Sequence, residues 1–306
     1  MRAPSPIDIA RLVRLPNVFT AFADILLGAC ACGAISEKSG ALALMLSGSG
    51  VLYLAGMALN DFFDRIDDAK SRPDRPIPSG RVSPKQALLL GLGLLAAGVV
   101  LATMALAVSQ GGFDPLGWNF AVAPALAAAI VLYDKVLKHG WLGPIGMGLC
   151  RALNVLLGCS LAPMPDGREL LPYHLAGTIG LYIAGVTWFA RKEEATSRPL
   201  ALAGAAGVMA LSLAIGLFVP EHFPPGHAPW FAPITFIAFV LWLGTALAAA
   251  IRKPSPKHVQ TAVKRSIFGL VLLDAILACF LVGWPGLLIA LLLIPAMQLG
   301  RRLYST

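Results

Sequence analysis

Charge is scarce in this chain. Asp, Glu, Lys and Arg make up 13% of its 306 residues, hydrophobic residues make up 57%, and the mean hydropathy is +0.75. A soluble domain carries about 25% charged residues. This chain has too few polar side chains to cover a water-facing surface, so the expected fold class is an all-α polytopic membrane bundle with lipid in place of water. It also lacks alternating apolar segments of about ten residues, which excludes a transmembrane β-barrel. The net charge of +8 comes without an aromatic-basic module, so nucleic acid is excluded as a partner and the lipid bilayer is the expected one. The five cysteines, Cys30, Cys32, Cys150, Cys159 and Cys279, lie in apolar stretches without metal-site spacing and read as packing residues. No P-loop, Rossmann glycine pattern or Ser-His-Asp order stands out. No cleavable signal peptide is expected, because the first apolar stretch runs on at spanning length behind Arg2, Arg11 and Arg14. A soluble domain of useful size is absent too, so residues 1–306 are expected to form one integral-membrane domain.

Apolar runs of roughly twenty residues, enough to cross a bilayer, fall near 17–35, 41–62, 84–109, 119–137, 142–163, 173–190, 199–219, 229–251, 262–282 and 284–300. Nine are well separated, and a Gly-Trp-Pro-Gly turn at Gly283–Gly286 sets off a tenth. The expectation is nine to ten transmembrane helices. Charge sorts the loops. Arg65, Lys70, Arg72, Arg75, Arg81 and Lys85 follow the second run; Lys135 and Lys138 the fourth; Arg191, Lys192 and Arg198 the sixth. Arg252, Lys253, Lys257, Lys264 and Arg265 follow the eighth. The intervening loops hold little beyond Lys38 and Arg168. By the positive-inside rule the basic loops face the cytoplasm. The expected location is a multi-pass protein of a bacterial inner membrane with its active site at the cytoplasmic face.

The longest polar segment begins at the end of the second run. Asn60, Asp64 and Asp68 are spaced i, i+4, i+8, and Asp61 stands three before Asp64. On a helix these oxygens form one stripe, and they repel one another unless a cation lies between them. Hard oxygen ligands suit Mg²⁺, which takes one or two carboxylates and completes its shell with waters and substrate phosphates. Lys70, Arg72, Arg75 and Arg81 follow at once, with Pro73, Pro76 and Pro78 favouring an extended, stiff path. Arg suits bidentate phosphate contacts and Lys a point-charge contact. Metal ligands and phosphate ligands therefore adjoin.

This segment resembles the signature of the UbiA superfamily of intramembrane prenyltransferases. The N-D-x-x-D-x-x-x-D motif matches at Asn60, Asp61, Asp64 and Asp68, and the R-P-x-x-S-G stretch at Arg75-Pro76 and Ser79-Gly80. Arg14-Leu-Pro16-Asn17 and Tyr133 with Lys138 are similar to further family positions. The resemblance implies a bundle around a central cavity, with an isoprenoid chain in an apolar tunnel. It departs at the family's second acidic motif. Thr187-Trp-Phe-Ala-Arg-Lys-Glu193-Glu194 stands there without aspartate, a pattern similar to a divergent branch associated with bacterial ebo-type gene clusters.

The expected activity is Mg²⁺-dependent transfer of an isoprenoid chain from an allylic prenyl diphosphate to an aromatic, small-molecule or lipid acceptor. A membrane terpene cyclase on the same scaffold and a transporter are the alternatives. Asn60, Asp64, Asp68 and Glu193 are the expected metal ligands, with Asp61 and Asp64 in catalytic roles. Lys70, Arg75, Lys138 and Arg151 are expected at the diphosphate. Asn17, Tyr133, Asn154 and Trp188 are expected at the acceptor or in the cavity wall. Arg151 and Asn154 lie three apart inside an apolar run. A charge there costs about 2.5–3.5 kcal/mol on insertion scales, so a partner such as Asp24 or Asp274 is expected. Asp134 and Lys138, four apart, are expected to pair.

Overall fold

The computed structural model describes residues 4–112, 114, 117–191, 198–222 and 227–304. The chain enters the bundle through a break. The Ser5 hydroxyl caps α1 (Pro6–Leu12), accepting from the Asp8 backbone N–H at 3.2 Å. Arg14 then takes the left-handed region, φ 47° and ψ 49°, which costs a residue with a Cβ about 1–2 kcal/mol. A 3-10 turn at Leu15–Asn17 follows, and the helix it opens, with α2 (Val18–Ala31), leaves at 51° to α1. The bend turns the Arg14 side chain toward the next long helix.

After the short α3 (Ala34–Glu37), α4 (Ser39–Ser71) runs for 33 residues. At 1.5 Å per residue it is about 50 Å long, well beyond a hydrocarbon layer of about 30 Å. Its last turns carry the acidic stripe on unbroken helix. A chain of turns separates it from α5 (Pro84–Gln110), which opens on a capping box between Ser83 and Gln86. These turns correct the extended path expected of the prolines: the backbone bonds Ser79 N–H to Arg75 O at 3.0 Å and Val82 N–H to Pro76 O at 2.9 Å fold it up. Ile77 and Val82 are buried under it with Leu12, Val13, Ala58 and Ala87, so an apolar plug anchors the basic loop.

The remaining helices are α6 (Trp118–Lys135), α7 (Gly143–Cys159), α8 (Leu171–Ala190), α9 (Pro199–Gly216), α10 (Ala232–Arg252), α11 (Pro256–Val282) and α12 (Leu293–Tyr304). A 3-10 segment, Trp284–Leu292, leads into the last. Small residues let the helices touch at backbone distance. A Cβ on Gly158 of α7 would stand 2.5 Å from the Ile25 carbonyl of α2, and one on Gly148 would stand 2.4 Å from the Gly180 carbonyl of α8.

Among the described residues, six helices are long and apolar enough to cross a membrane, or seven if the bent α1–α2 pair is one span. The nine to ten counted from run length include α6, α7 and α8, which also run between the two ends of the bundle: Lys138 beyond α6 reaches Asp64 at the end of α4, and Arg191 after α8 donates to the Gly140 carbonyl just before α7. Helix α7 is 17 residues long, and α6 and α8 fall outside the six. These three pack against other helices and a cavity, which relaxes the demand for an apolar surface all round. The cavity, about 320 Å³, lies among α2, α4, α6, α7, α8 and α11, while α5, α9, α10 and α12 stand outside it.

Candidate functional site

At the end of α4 every carboxylate of the stripe meets a cation from another segment. Asp61 Oδ1 lies 2.9 Å from Arg14 Nη2 and 3.4 Å from Arg75 Nη1. Arg75 Nη1 also reaches Asp68 Oδ2 at 2.5 Å, and Arg72 Nη1 lies 3.9 Å from Asp68 Oδ1. Asp64 Oδ1 is 2.6 Å from Lys138 Nζ and 3.9 Å from His139 Nε2. Asn60 Nδ2 donates to Asp134 Oδ1 at 3.0 Å, and Lys138 Nζ donates to the Asn60 carbonyl at 3.4 Å. The stripe is thus two pairs. Asp61 and Asp68, seven apart and so nearly two full turns, share Arg75; Asn60 and Asp64 look toward the end of α6. The left-handed Arg14 and the folded loop bring the guanidinium groups in from opposite sides.

Asp134 and Lys138 do not pair as their spacing suggests. Helix α6 ends at Lys135, Val136 turns at φ −126° and ψ −56°, and a 3-10 turn at Leu137–His139 swings Lys138 over to Asp64. Asp134 is buried, lines the cavity, and keeps one oxygen, Oδ2, without a hydrogen-bond donor. Sequence spacing missed its place beside Asn60, as it missed the contact of Arg14 with Asp61.

Beyond the acidic end the cavity is lined by Asn17, Tyr133 and Asn154, which were expected there, and by Thr20, Ser49, Tyr53 and Arg151. Its other walls are apolar, including Leu52, Met57, Ile130, Ile183, Ile267 and Leu270. Arg151 Nη1 binds Asp24 Oδ2 at 3.0 Å, Nη2 donates to Thr20 Oγ1 at 2.7 Å, and the guanidinium carbon sits 5.4 Å from the centre of the Tyr53 ring. Asn154 Nδ2 donates to Asp24 Oδ2 at 2.9 Å, and Ser49 Oγ donates to Asn154 Oδ1 at 2.7 Å. Arg151 is therefore paired with Asp24, one of its two anticipated partners. Trp188 is a correction: it is 38% exposed with its ring over Gly204, and Thr187 stands in the cavity wall in its place. Lys70 is exposed to solvent on the last turn of α4. Glu193, with Lys192 and Glu194, lies outside the described residues.

The donors at the acidic end, carboxylates with an amide, fit a hard divalent cation. Among the described residues no three His, Cys, Asp or Glu side chains converge into a cage. A cation that takes one or two carboxylates and completes its shell with phosphate oxygens needs no such cage. The unpartnered Oδ2 of Asp134, beside Asn60, is a further oxygen open to a cation or a donor.

Residues 21–272 match the UbiA prenyltransferase family. The digeranylgeranylglyceryl phosphate synthase of Methanothrix thermoacetophila is 39% identical over 94 residues, 31% of this chain and 35% of that protein, so the match spans about a third of that relative's length. The enzyme of the same name from Ignicoccus hospitalis is 27% identical over 279 residues, 84% of this chain and 85% of its own. Among solved structures, a digeranylgeranylglyceryl phosphate synthase superposes with a TM-score of 0.62 at 18% identity, covering 95% of this chain and 98% of that one. A homologue from Archaeoglobus fulgidus bound to GPP and Mg²⁺ superposes with a TM-score of 0.60 at 15% identity, covering 92% of this chain and 99% of that one.

Proposed function

The chain belongs to the UbiA prenyltransferase family, and from that premise we propose that it transfers a prenyl group from an allylic prenyl diphosphate to a lipid acceptor bearing a glyceryl phosphate. The observation that carries the reading is the ring of cations, Arg14, Arg72, Arg75 and Lys138, held against Asp61, Asp64 and Asp68 at the mouth of an apolar cavity. Such a site matches a ligand with an anionic head and an apolar tail. Asn60, Asp64 and Asp68, with Asp61 beside them, are the residues that would hold Mg²⁺, which supplies charge neutralisation for the departing diphosphate when bound. The homologue bound to GPP and Mg²⁺ supports a prenyl diphosphate and a divalent cation as the ligands of this fold.

Arg14, Arg75 and Lys138 neutralise the carboxylates. The same groups would serve the oxygens of a diphosphate bound there, where negative charge grows as the allylic C–O bond breaks. Arg supplies a planar fork and Lys a point charge. The Tyr53 and Tyr133 rings and the aliphatic wall exclude water that would quench the cation-like carbon. The acceptor is proposed from the names of the relatives, and Arg151 is the cavity cation placed to meet its anionic group. The basic loops put this end of the bundle at the cytoplasmic face.

The test is direct. Protein reconstituted in lipid receives geranylgeranyl diphosphate, Mg²⁺ and a prenylated glyceryl phosphate, and diphosphate release and the coupled product are followed together. Asp64→Asn is expected to lose at least about 100-fold in turnover, the scale of losing one transition-state contact. Full turnover by that variant would sink the reading.

A further inference from the structure

Behind the cavity wall lies a group the transfer reaction does not use. Asp274 on α11 is 0% exposed, as is Asp24 on α2. Helices α2 and α11 pack against each other, and the charge of each of these two carboxyls acts on the other. Donors serve only one of their four oxygens: Arg151 at 3.0 Å and Asn154 at 2.9 Å both address Asp24 Oδ2. Asp24 Oδ1 and both oxygens of Asp274 have no donor.

The neighbours cannot supply one. Tyr182, the buried tyrosine of α8, donates its hydroxyl to the Ser266 carbonyl at 2.9 Å. Tyr53, from α4, lies against Arg151, whose guanidinium carbon is 5.4 Å from its ring centre. Arg151, from α7, is the cation of the group. Two buried carboxylates against one guanidinium leave a net negative charge in apolar surroundings, which is strongly disfavoured. Two neighbouring buried carboxyls that share one cation disfavour double ionisation, and the missing donor is supplied if one is protonated.

We infer that Asp24 and Asp274 form a proton-binding site, holding one proton between them and so keeping the buried group with Arg151 electrically neutral. No protein donor is needed: the proton on one carboxyl is donated to the other. The site has a consequence at the cavity, which rests on the proposed role of Arg151 at the acceptor. While the proton is held, Arg151 balances one carboxylate and keeps its cavity face for an anionic group. When the proton leaves, two carboxylates compete for Arg151 and draw it from the acceptor. Turnover therefore falls on the alkaline side. Asp274 is a positioning residue for Arg151.

Infrared spectra of the full chain without substrate, in H₂O and D₂O, test the proton site independently of any activity. The wild type is expected to show the carbonyl band of a protonated, buried carboxyl that shifts on deuteration. Asp274→Asn, whose amide N–H replaces the shared proton, is expected to abolish it. A wild type without the band, a band that survives Asp274→Asn, or one that vanishes instead in Asp134→Asn would overturn the inference. If Asp274→Asn fails to fold, alkaline titration of the wild type decides: the band must fade together with turnover. In the prenyl-transfer assay Asp274→Asn is expected to move the alkaline limb up by at least about one pH unit, a tenfold effect at fixed pH. An unmoved limb would overturn the link to Arg151 while the band still decides the proton site. Absence of transfer in the wild type would count against the proposed reaction alone.

Discussion

Arg75 is the residue on which the acidic end closes, because a single guanidinium nitrogen bridges Asp61 and Asp68. Its removal leaves two buried carboxylates facing each other and strips a fork from the diphosphate site. Arg75→Gln is expected to raise the KM for prenyl diphosphate by about tenfold or more, the worth of a charge-assisted hydrogen bond of about 1.5–3 kcal/mol. Steady-state kinetics over donor concentration checks it; an unchanged KM would show that Arg75 serves only the carboxylates. At this scale the sequence was partly legible. Asn60, Asp61, Asp64 and Asp68 are close in the chain and lie on one helix, so spacing alone puts their oxygens together. Arg14 lies in the break after α1 and Asp134 near the end of α6, and their approach depends on a left-handed residue and a helix end that spacing does not encode.

At the scale of elements, the site depends on α4 staying helical to Ser71. Ile66 lies within this stretch and is 63% exposed, so its side chain contributes little packing. Ile66→Pro would remove a helical N–H bond and clash with the preceding turn, at a cost of about 3 kcal/mol, and would divide Asp68 from Asn60. It is expected to abolish turnover, whereas Ile66→Ala retains it. The α2–α7 contact is a second such element. A Cβ on Gly158 would stand 2.5 Å from the Ile25 carbonyl, so Gly158→Val is expected to cost about 1–3 kcal/mol as overpacking. Thermal unfolding in detergent against wild type measures it, and no loss of stability would mean that the helices can part freely. Glycine-rich apolar runs hint at close helix contacts, but which glycine faces which helix was not readable before the helices were placed.

For the whole molecule, the alternation of basic and charge-poor loops predicts which ends of the helices share a side of the membrane. All five native cysteines are buried, so introduced thiols can be read against a low background. Ser79→Cys in the basic loop is expected to be labelled by an impermeant maleimide only after the membrane is opened, and Asp166→Cys on intact spheroplasts. Labelling of both on the same side would overturn the topology. The count of spans is less direct, because length and hydropathy alone select six or seven helices among the described residues. Helices α6, α7 and α8 are shorter or less apolar than those six because part of their surface meets other helices and the cavity rather than lipid.

Composition and hydropathy by themselves determined that this is a helical membrane bundle, because a chain so poor in charge has no other way to solvate its surface. The spacing from Asn60 to Asp68 determined the chemistry of one end, since helical geometry is local and repeats every few residues. The tertiary structure decided what lies opposite that stripe. It placed Arg14 and Arg75 on Asp61, Lys138 on Asp64, Asp134 beside Asn60, and Asp24 with Asp274 behind Arg151. Those pairings join residues from separate segments of the chain, and their positions depend on the bends, helix ends and glycine contacts that set how the helices pack.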